Sequence, residues 1–312
     1  MSHYRSIFHP KLFADQTFIV TGGGSGIGRA TAHELASLGA HVVLLGRKVA
    51  KLETVAAEIQ ADDGSVSFHA QDIRDEAGVR DTIKAILADR AEHGQGQSRG
   101  RVHGLVNNAG GQYPAPLEAI NQKGFETVVR TNLVGGFLMA RELYSQHLRK
   151  HGGAIVNIVA DMRNGMPGMG HSGAARAGMV NLTQTAALEW AKSGVRVNAI
   201  QPGWIASSGM ETYPDAVRAM IPMLAKAVPL KRLGSEAEVS AAICFLLSPA
   251  AAFINGATLQ VDGGAPLMPH HWPMPDHDKS KAFAGFHRNT LSADLSKLAG
   301  LPINEAGEGE AG

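Results

Sequence analysis

The chain has 312 residues, 44% of them hydrophobic and 18% charged, with a formal net charge of +1. That composition supports a large buried core, and the near-neutral balance gives no electrostatic signature for nucleic acid or a membrane surface. Its one cysteine, Cys244, excludes an internal disulfide and fits a reducing compartment; within the apolar run 241–247 it reads as a buried structural thiol.

Residues 18–20 predict a short β-strand, followed at once by Thr21-Gly22-Gly23-Gly24-Ser25-Gly26-Ile27-Gly28 and a helix over 29–37. A fully apolar strand follows at 42–45, then an amphipathic helix over 49–60 with Leu52, Val55, Ala56 and Ile59 on one face. The alternation continues with a strand at 66–68, a helix at 79–87, a strand at 105–106, a helix at 125–148, a strand at 155–159, a helix at 174–191 and strands at 195–200 and 259–261. Apolar strands alternating with amphipathic helices predict an α/β fold: a Rossmann-type, doubly wound parallel sheet in three α/β/α layers. Residues 90–101 are polar and predict an exposed loop. Residues 268–312 carry scattered proline, histidine and charge; the part from His270-His271-Trp272 to Phe286 is expected to pack on the body or on a neighbouring subunit, and 304–312 to be disordered.

No apolar stretch approaches the ~20 residues that span a bilayer. Residues 1–10 lack the apolar core of a signal peptide, and the last residues, Glu310-Ala311-Gly312, are not a Ser-Lys-Leu address, so a cytoplasmic protein is expected. The 14 histidines form no metal-ligand spacing, and His270, His271 and His277 cluster only in the tail.

The glycine run lies between a strand and a helix, the context in which such a run is informative. Gly22 permits the tight turn, Gly26 lets backbone approach a pyrophosphate, and Gly28 lets the helix pack close to the strand. Thr21, Gly24, Ser25 and Ile27 complete the turn. The helix N-terminus then offers free N–H groups to phosphate.

The spacing Thr21-Gly22-x-x-x-Gly26-x-Gly28 resembles the short-chain dehydrogenase/reductase family, and four further segments strengthen the likeness. Asn107-Asn108-Ala109-Gly110 follows the fourth strand, and Asp72-Ile73 follows the third, where the family contacts adenine. Asn132, in Thr131-Asn132-Leu133, matches the family's helix asparagine. Pro202-Gly203-Trp204-Ile205-Ala206-Ser207 matches the loop that holds the nicotinamide carboxamide. The resemblance covers residues 12–264 and implies one cofactor-binding domain there, with 265–312 as a C-terminal extension. It also implies a homodimer or homotetramer built on the helices at 125–148 and 174–191. The second strand ends Leu45-Gly46-Arg47-Lys48, without the acid that usually meets an NAD ribose. Arg47 can fork onto a 2′-phosphate and Lys48 adds a point charge, which favours NADP(H).

The family's acid–base group is Tyr-x-x-x-Lys with an upstream serine. Here the matching segment is His171-Ser172-Gly173-Ala174-Ala175-Arg176, and the upstream serine position falls on Val159 or Ala160. None of Tyr4, Tyr113, Tyr144 and Tyr213 has lysine four residues on. An aliphatic hydroxyl is a far weaker acid than a phenol, and arginine keeps its proton. Proton delivery to an alkoxide is therefore poorly served. Hydride addition to a conjugated double bond needs something else, namely fixed donors to an enolate oxygen. Ser172 suits that role. Arg176 would grip the ribose and hold a permanent charge, and Asn132 would hold a water or the substrate.

The Ser172 segment is similar to the peroxisomal trans-2-enoyl-CoA reductases. So are Asn107 to Gln112, Phe245-Leu246-Leu247-Ser248-Pro249-Ala250-Ala251 and Pro275-Asp276-His277-Asp278. The related 2,4-dienoyl-CoA reductases keep lysine where Arg176 stands and use an upstream tyrosine near the position of Asp161. That makes Asp161 either a proton donor, if burial raises its pKa, or an ordinary loop or cap carboxylate. Gly165-Met166-Pro167-Gly168-Met169-Gly170 and Trp204-Ile205-Ala206-Ser207-Ser208-Gly209-Met210 also resemble bacterial citronellol/citronellal dehydrogenases. The leading expectation is an NADPH-dependent reductase of an α,β-unsaturated acyl-CoA. An acyclic terpenoid dehydrogenase and an NADP(H)-binding protein with little catalysis are the alternatives. Met166, Met169, Trp204, Met210 and residues 213–224 are expected to line the substrate pocket. Tyr113 reads as a pocket-mouth or plain loop residue, and His171 as a neighbour of Ser172 that titrates near neutrality or merely packs.

Overall fold

In the computed structural model, residues 3–94, 99–212, 215–268 and 274–303 are described. The apolar runs become strands: β1 (Thr17–Thr21), β2 (His41–Gly46), β3 (Ser65–Ala70), β4 (Gly104–Asn107), β5 (Gly153–Ile158) and β6 (Val195–Pro202). A two-residue pair, β7 (Ile205–Ala206) and β8 (Gly234–Ser235), stands apart, and β9 (Thr258–Val261) closes the main sheet. The seven long strands lie in the order β3-β2-β1-β4-β5-β6-β9, all parallel. Every residue of β1 and β4 is buried, as expected for central strands covered on both faces.

Strand alternation divides the core in two. Phe18, Val20, Val42, Leu44, Val106 and Val156 pack on one face. They meet α1 (Gly26–Ser37), α2 (Val49–Ala61) and, later in the chain, Ile243 and Leu246. Ile19, Val43, Leu45, Leu105 and Ile155 pack on the other, under Ile83 of α3 (Glu76–His93) and the rod that begins at α4 (Gln122–Val129). That rod continues through α5 (Gly135–Leu143) and α6 (Arg149–His151), joined by π turns at Arg130–Val134 and Tyr144–Leu148. It is the single helix expected at 125–148, locally overwidened twice. Next come α7 (Gly170–Trp190), α8 (Asp215–Arg218), α9 (Ile221–Ala227) and α10 (Glu236–Leu247). The three-layer, doubly wound sheet is the one the strand–helix alternation predicted.

Two regions differ from expectation. α3 runs on to His93, into the segment read as a loop, because Arg90 is buried and Asp89 bonds both Arg90 and His93. Residues 95–98 lie outside the described residues. The tail also holds a helix, α11 (Ala293–Ala299), capped by Ser292. Its Leu295 and Ala299 are fully buried against Ile221, Ala225 and Leu233. Just before it, Phe286 is buried with Tyr4, Ala30 and Ala237, and the Arg29 guanidinium sits 5.0 Å from its ring centre. His287 and Arg288 both bond Asp62 of the α2 terminus, at 2.8 and 2.6 Å. His270, His271, Trp272 and residues 304–312 lie outside the described residues. Cys244 is fully buried, and burial pushes its thiol pKa up. Among the described residues no helix is long and apolar enough to cross a membrane.

Candidate active site

The winding of the sheet reverses between β1 and β4, and a cleft of about 390 Å³ opens at the C-terminal ends of those strands. The glycine turn forms one wall. Gly22 has φ +67°, a left-handed conformation, and its N–H donates to the Leu45 carbonyl at 2.7 Å. A Cβ at Gly28 would lie 2.4 Å from both the Gly22 carbonyl oxygen and Asn108 Nδ2, so only glycine allows this packing. Gly24, Ser25 and Ile27 line the cleft. Ser25 is extended and its side chain does not cap α1, and no acid occupies the first turn. The helix therefore presents unsatisfied N–H groups beside Gly26.

Thr21 is a strut of the cleft, not part of its lining. It is buried, its Oγ1 donates to the Val106 carbonyl, and it accepts from the N–H groups of Asn108 and Ala109 at 3.0 and 2.9 Å. Asn108 returns a bond from Nδ2 to the Thr21 carbonyl at 3.0 Å. Asn108, Ala109 and Gly110 form the opposite wall, with Ile73 at its base. Arg47 and Lys48 stand exposed at one end of the cleft beside Lys51, which sequence reasoning passed over. Among the described residues none of these three cations has an ion pair. Asp72 is held by Arg74 at 2.6 Å, and that bond keeps its carboxyl below the usual range. Of the 202–207 loop, Ser207 alone lines the cleft. Gly203 donates to the Val261 carbonyl at 3.0 Å, and Ile205 is buried in β7, so Pro202, Gly203 and Ile205 carry Ser207 into place. A turn with no room for side chains, open helix N–H groups and unpaired cations together fit the diphosphate and phosphate of a dinucleotide.

Behind the turn, at the start of α10, Glu236 is buried, and its Oε1 lies 3.8 Å from where a Gly26 Cβ would stand. Burial raises its pKa to about 7. The nearby Arg29 pulls it back only in part, being engaged by Glu58 at 2.8 Å and by the Arg288 carbonyl.

The second half of the site lies where α7 begins. Ser172 is fully buried, and Asn132 sits in the first π turn. Asn132 Oδ1 accepts from the Gly111 N–H at 2.9 Å, its Nδ2 donates to Ser172 Oγ at 3.4 Å, and Ser172 Oγ donates to Gln112 Oε1 at 2.6 Å. Arg176 donates from Nη1 to the Ile158 carbonyl at 2.5 Å. A Cβ on Gly110 would lie 2.4 Å from Arg176 Nη2, so the guanidinium rests against the wall formed by Asn108, Ala109 and Gly110. Burial lowers its pKa to about 10, and Nε has no partner among the described residues. Arg176 therefore carries a full charge at neutral pH, with no ion pair to a carboxylate among the described residues.

Asp161 stands apart. It is half-buried and accepts from Gln201 Nε2 at 3.4 Å. Among the described residues it has no bond to Ser172, Asn132 or Arg176. His171 is fully buried with its ring edge-on to Tyr113, centroids 4.7 Å apart, and its Nδ1 accepts from the Ser172 N–H. The side chains expected in one substrate pocket are dispersed. Met166 packs on Gly173, Met210 is buried with Ile221, and Trp204 lines a separate hollow of about 410 Å³ with Val228 and Leu230. Tyr213 lies outside the described residues. Gln112, which the sequence marked only as the last residue of the Asn107–Gln112 segment and gave no role, accepts from Ser172.

Over residues 22–266 the chain matches the family model described as Enoyl-(Acyl carrier protein) reductase. The chain belongs to the short-chain dehydrogenase/reductase family. As a member it is an oxidoreductase that works with a pyridine nucleotide. It is 37% identical, over 81% of this chain and 97% of the relative, to a probable 2,4-dienoyl-CoA reductase, (2E)-enoyl-CoA-producing, of Bacillus subtilis. Among solved structures it is similar to a citronellol catabolism dehydrogenase of Pseudomonas aeruginosa, with 61% identity and a TM-score of 0.74 over 84% of this chain and 99% of that one. A putative NAD(P)-dependent gluconate 5-dehydrogenase of Beutenbergia cavernae, with bound NADP, is 32% identical with a TM-score of 0.75, covering 83% and 100%.

Proposed function

We propose that this short-chain dehydrogenase/reductase is an NADPH-dependent reductase of an α,β-unsaturated acyl-CoA ester. One observation carries the reading: a donor chain runs through buried Ser172, beside the cation Arg176 that has no ion pair among the described residues, where the family has its tyrosine and lysine. When bound, NADPH supplies a hydride to the substrate's β-carbon. The α1 turn holds the diphosphate, and Arg47 with Lys48 takes the 2′-phosphate. Arg176 orients the nicotinamide ribose and keeps positive potential near the developing charge. Ser172 donates to the thioester oxygen as it becomes an enolate, and Asn132 polarises that hydroxyl. The enolate then takes a proton from water at its α-carbon, which completes addition of hydride and proton across the double bond. This reading gives Asp161 no step. The dienoyl-CoA reductases among the relatives and the NADP-bound neighbour support it. Exposed Leu188 on α7 and Phe125 on α4 support a homodimer or homotetramer built on those helices.

The 61% identity to a citronellol catabolism dehydrogenase favours a second reading, oxidation or reduction of an acyclic terpenoid. One panel tests both. Loss of NADPH absorbance with trans-2-decenoyl-CoA, and none with citronellal, is the expected result. Turnover of citronellal or citronellol alone, surviving Ser172→Ala, transfers the conclusion to the second reading. NADPH binding without any turnover leaves a cofactor-binding protein.

A further inference from the structure

Ser172 is fully buried, yet it is the donor that would meet the substrate oxygen. Its hydroxyl proton goes to the side chain of Gln112, an exposed loop residue. The orientation of every group in this chain follows from one backbone donor. The Gly111 N–H fixes Asn132 Oδ1 as acceptor, which turns Asn132 Nδ2 toward Ser172. The Ser172 oxygen is then an acceptor, and its single proton must point elsewhere. It points at Gln112 Oε1, 2.6 Å away, a short O–H···O distance. The chain Gly111, Asn132, Ser172 runs outward, each donor strengthening the next, and ends on an amide oxygen at the protein surface.

A thioester oxygen that takes the Ser172 proton must stand where Gln112 Oε1 now stands. Both are sp² carbonyl oxygens with the same demand on a donor. We propose that Gln112 is a positioning residue that acts as a stand-in for the substrate oxygen: its amide keeps the Ser172 proton aimed outward and is displaced when the acyl-CoA thioester binds. This rests on the reading that Ser172 donates to the substrate. It makes Gln112 a competitor of substrate, so removing it tightens binding, and charging it blocks entry.

The test compares Gln112→Ala and Gln112→Glu with the wild type, all loaded with NADP(H). Gln112 is exposed, so both variants should fold, which the melting temperature checks. Trans-2-decenoyl-CoA serves for kinetics and decanoyl-CoA for calorimetry, which reports binding even without turnover. One neutral hydrogen bond removed lowers KM and Kd about fivefold in Gln112→Ala, with kcat within about twofold. A carboxylate acceptor raises KM about 10- to 100-fold in Gln112→Glu. The rise fades as acid protonates the new carboxyl. A purely structural Gln112 would move both variants the same way, with no pH dependence; that outcome, or a raised KM in Gln112→Ala, overturns the proposal. Ser172→Ala is the control. If it keeps full activity, the reading of Ser172 fails; if it is impaired while the two Gln112 variants move together, only this inference fails.

Discussion

The two ends of the cleft are built from different materials. At the glycine-turn end the close-packed groups are backbone, with Arg47 and Lys48 added at its edge: a left-handed glycine, helix N–H groups and a wall too close for any Cβ. At the Ser172 end they are side chains drawn from α7, a π turn and a loop, and each holds its place only through the next. The first end is fixed as soon as the sheet forms. The second depends on contacts between residues 40 and 60 positions apart in sequence. Such a division lets one family keep its cofactor while its chemistry changes, because replacing two side chains on α7 leaves the turn untouched.

Gly28→Ala tests the backbone end most severely. The added carbon must push apart two groups 2.4 Å away, so NADPH binding should disappear in calorimetry, with a lowered melting temperature. Retained binding would show that the turn yields more than its packing suggests. Ser172→Ala strikes the other end alone. We expect kcat on trans-2-decenoyl-CoA to fall about 10²- to 10³-fold, with NADPH affinity unchanged. A matching loss of NADPH affinity would show that the two ends are not separable.

Glu236 tests the support behind the turn. Its pKa is raised in the folded protein, from 4.5 to about 7, so the stability linked to its proton is complete below pH ~4.5 and is lost as pH rises through 7. Glu236→Gln should therefore match the wild type near pH 4.5 and exceed it at pH 8 by about 3 kcal/mol. Equal melting curves at pH 8 would mean that the carboxylate finds compensation on ionising. The smallest effect is expected from Arg47→Ala, which should weaken NADPH about tenfold and leave NADH nearly unchanged. Equal losses for both cofactors would assign Arg47 to the shared part of the dinucleotide.

The legibility of the sequence follows the same division. The glycine turn, the Asn108 wall and the doubly wound parallel sheet were readable because strand, turn and helix are written in consecutive residues. The exchange at Ser172 and Arg176 was readable as a departure from a pattern. The role of Gln112 was not, although its segment carried a resemblance, since nothing in a linear string shows which loop amide meets a helix 60 residues later. α11 escaped for a related reason. Its buried residues, Leu295, Ser296 and Ala299, are few, and the partners of Leu295 and Ala299 on α9 lie far back in the chain. Trp204 and Met210 were grouped by loop proximity, yet one faces a hollow beside β9 and the other turns inward, so adjacency misled where side-chain direction decides.

Cys244, sealed between α10 and the sheet with its thiol held protonated, has a practical consequence for reporter chemistry. The native chain should be nearly inert to maleimides while folded. A cysteine introduced at an exposed loop position would then be the sole labelled site, and a fluorophore there could report substrate binding without first replacing Cys244.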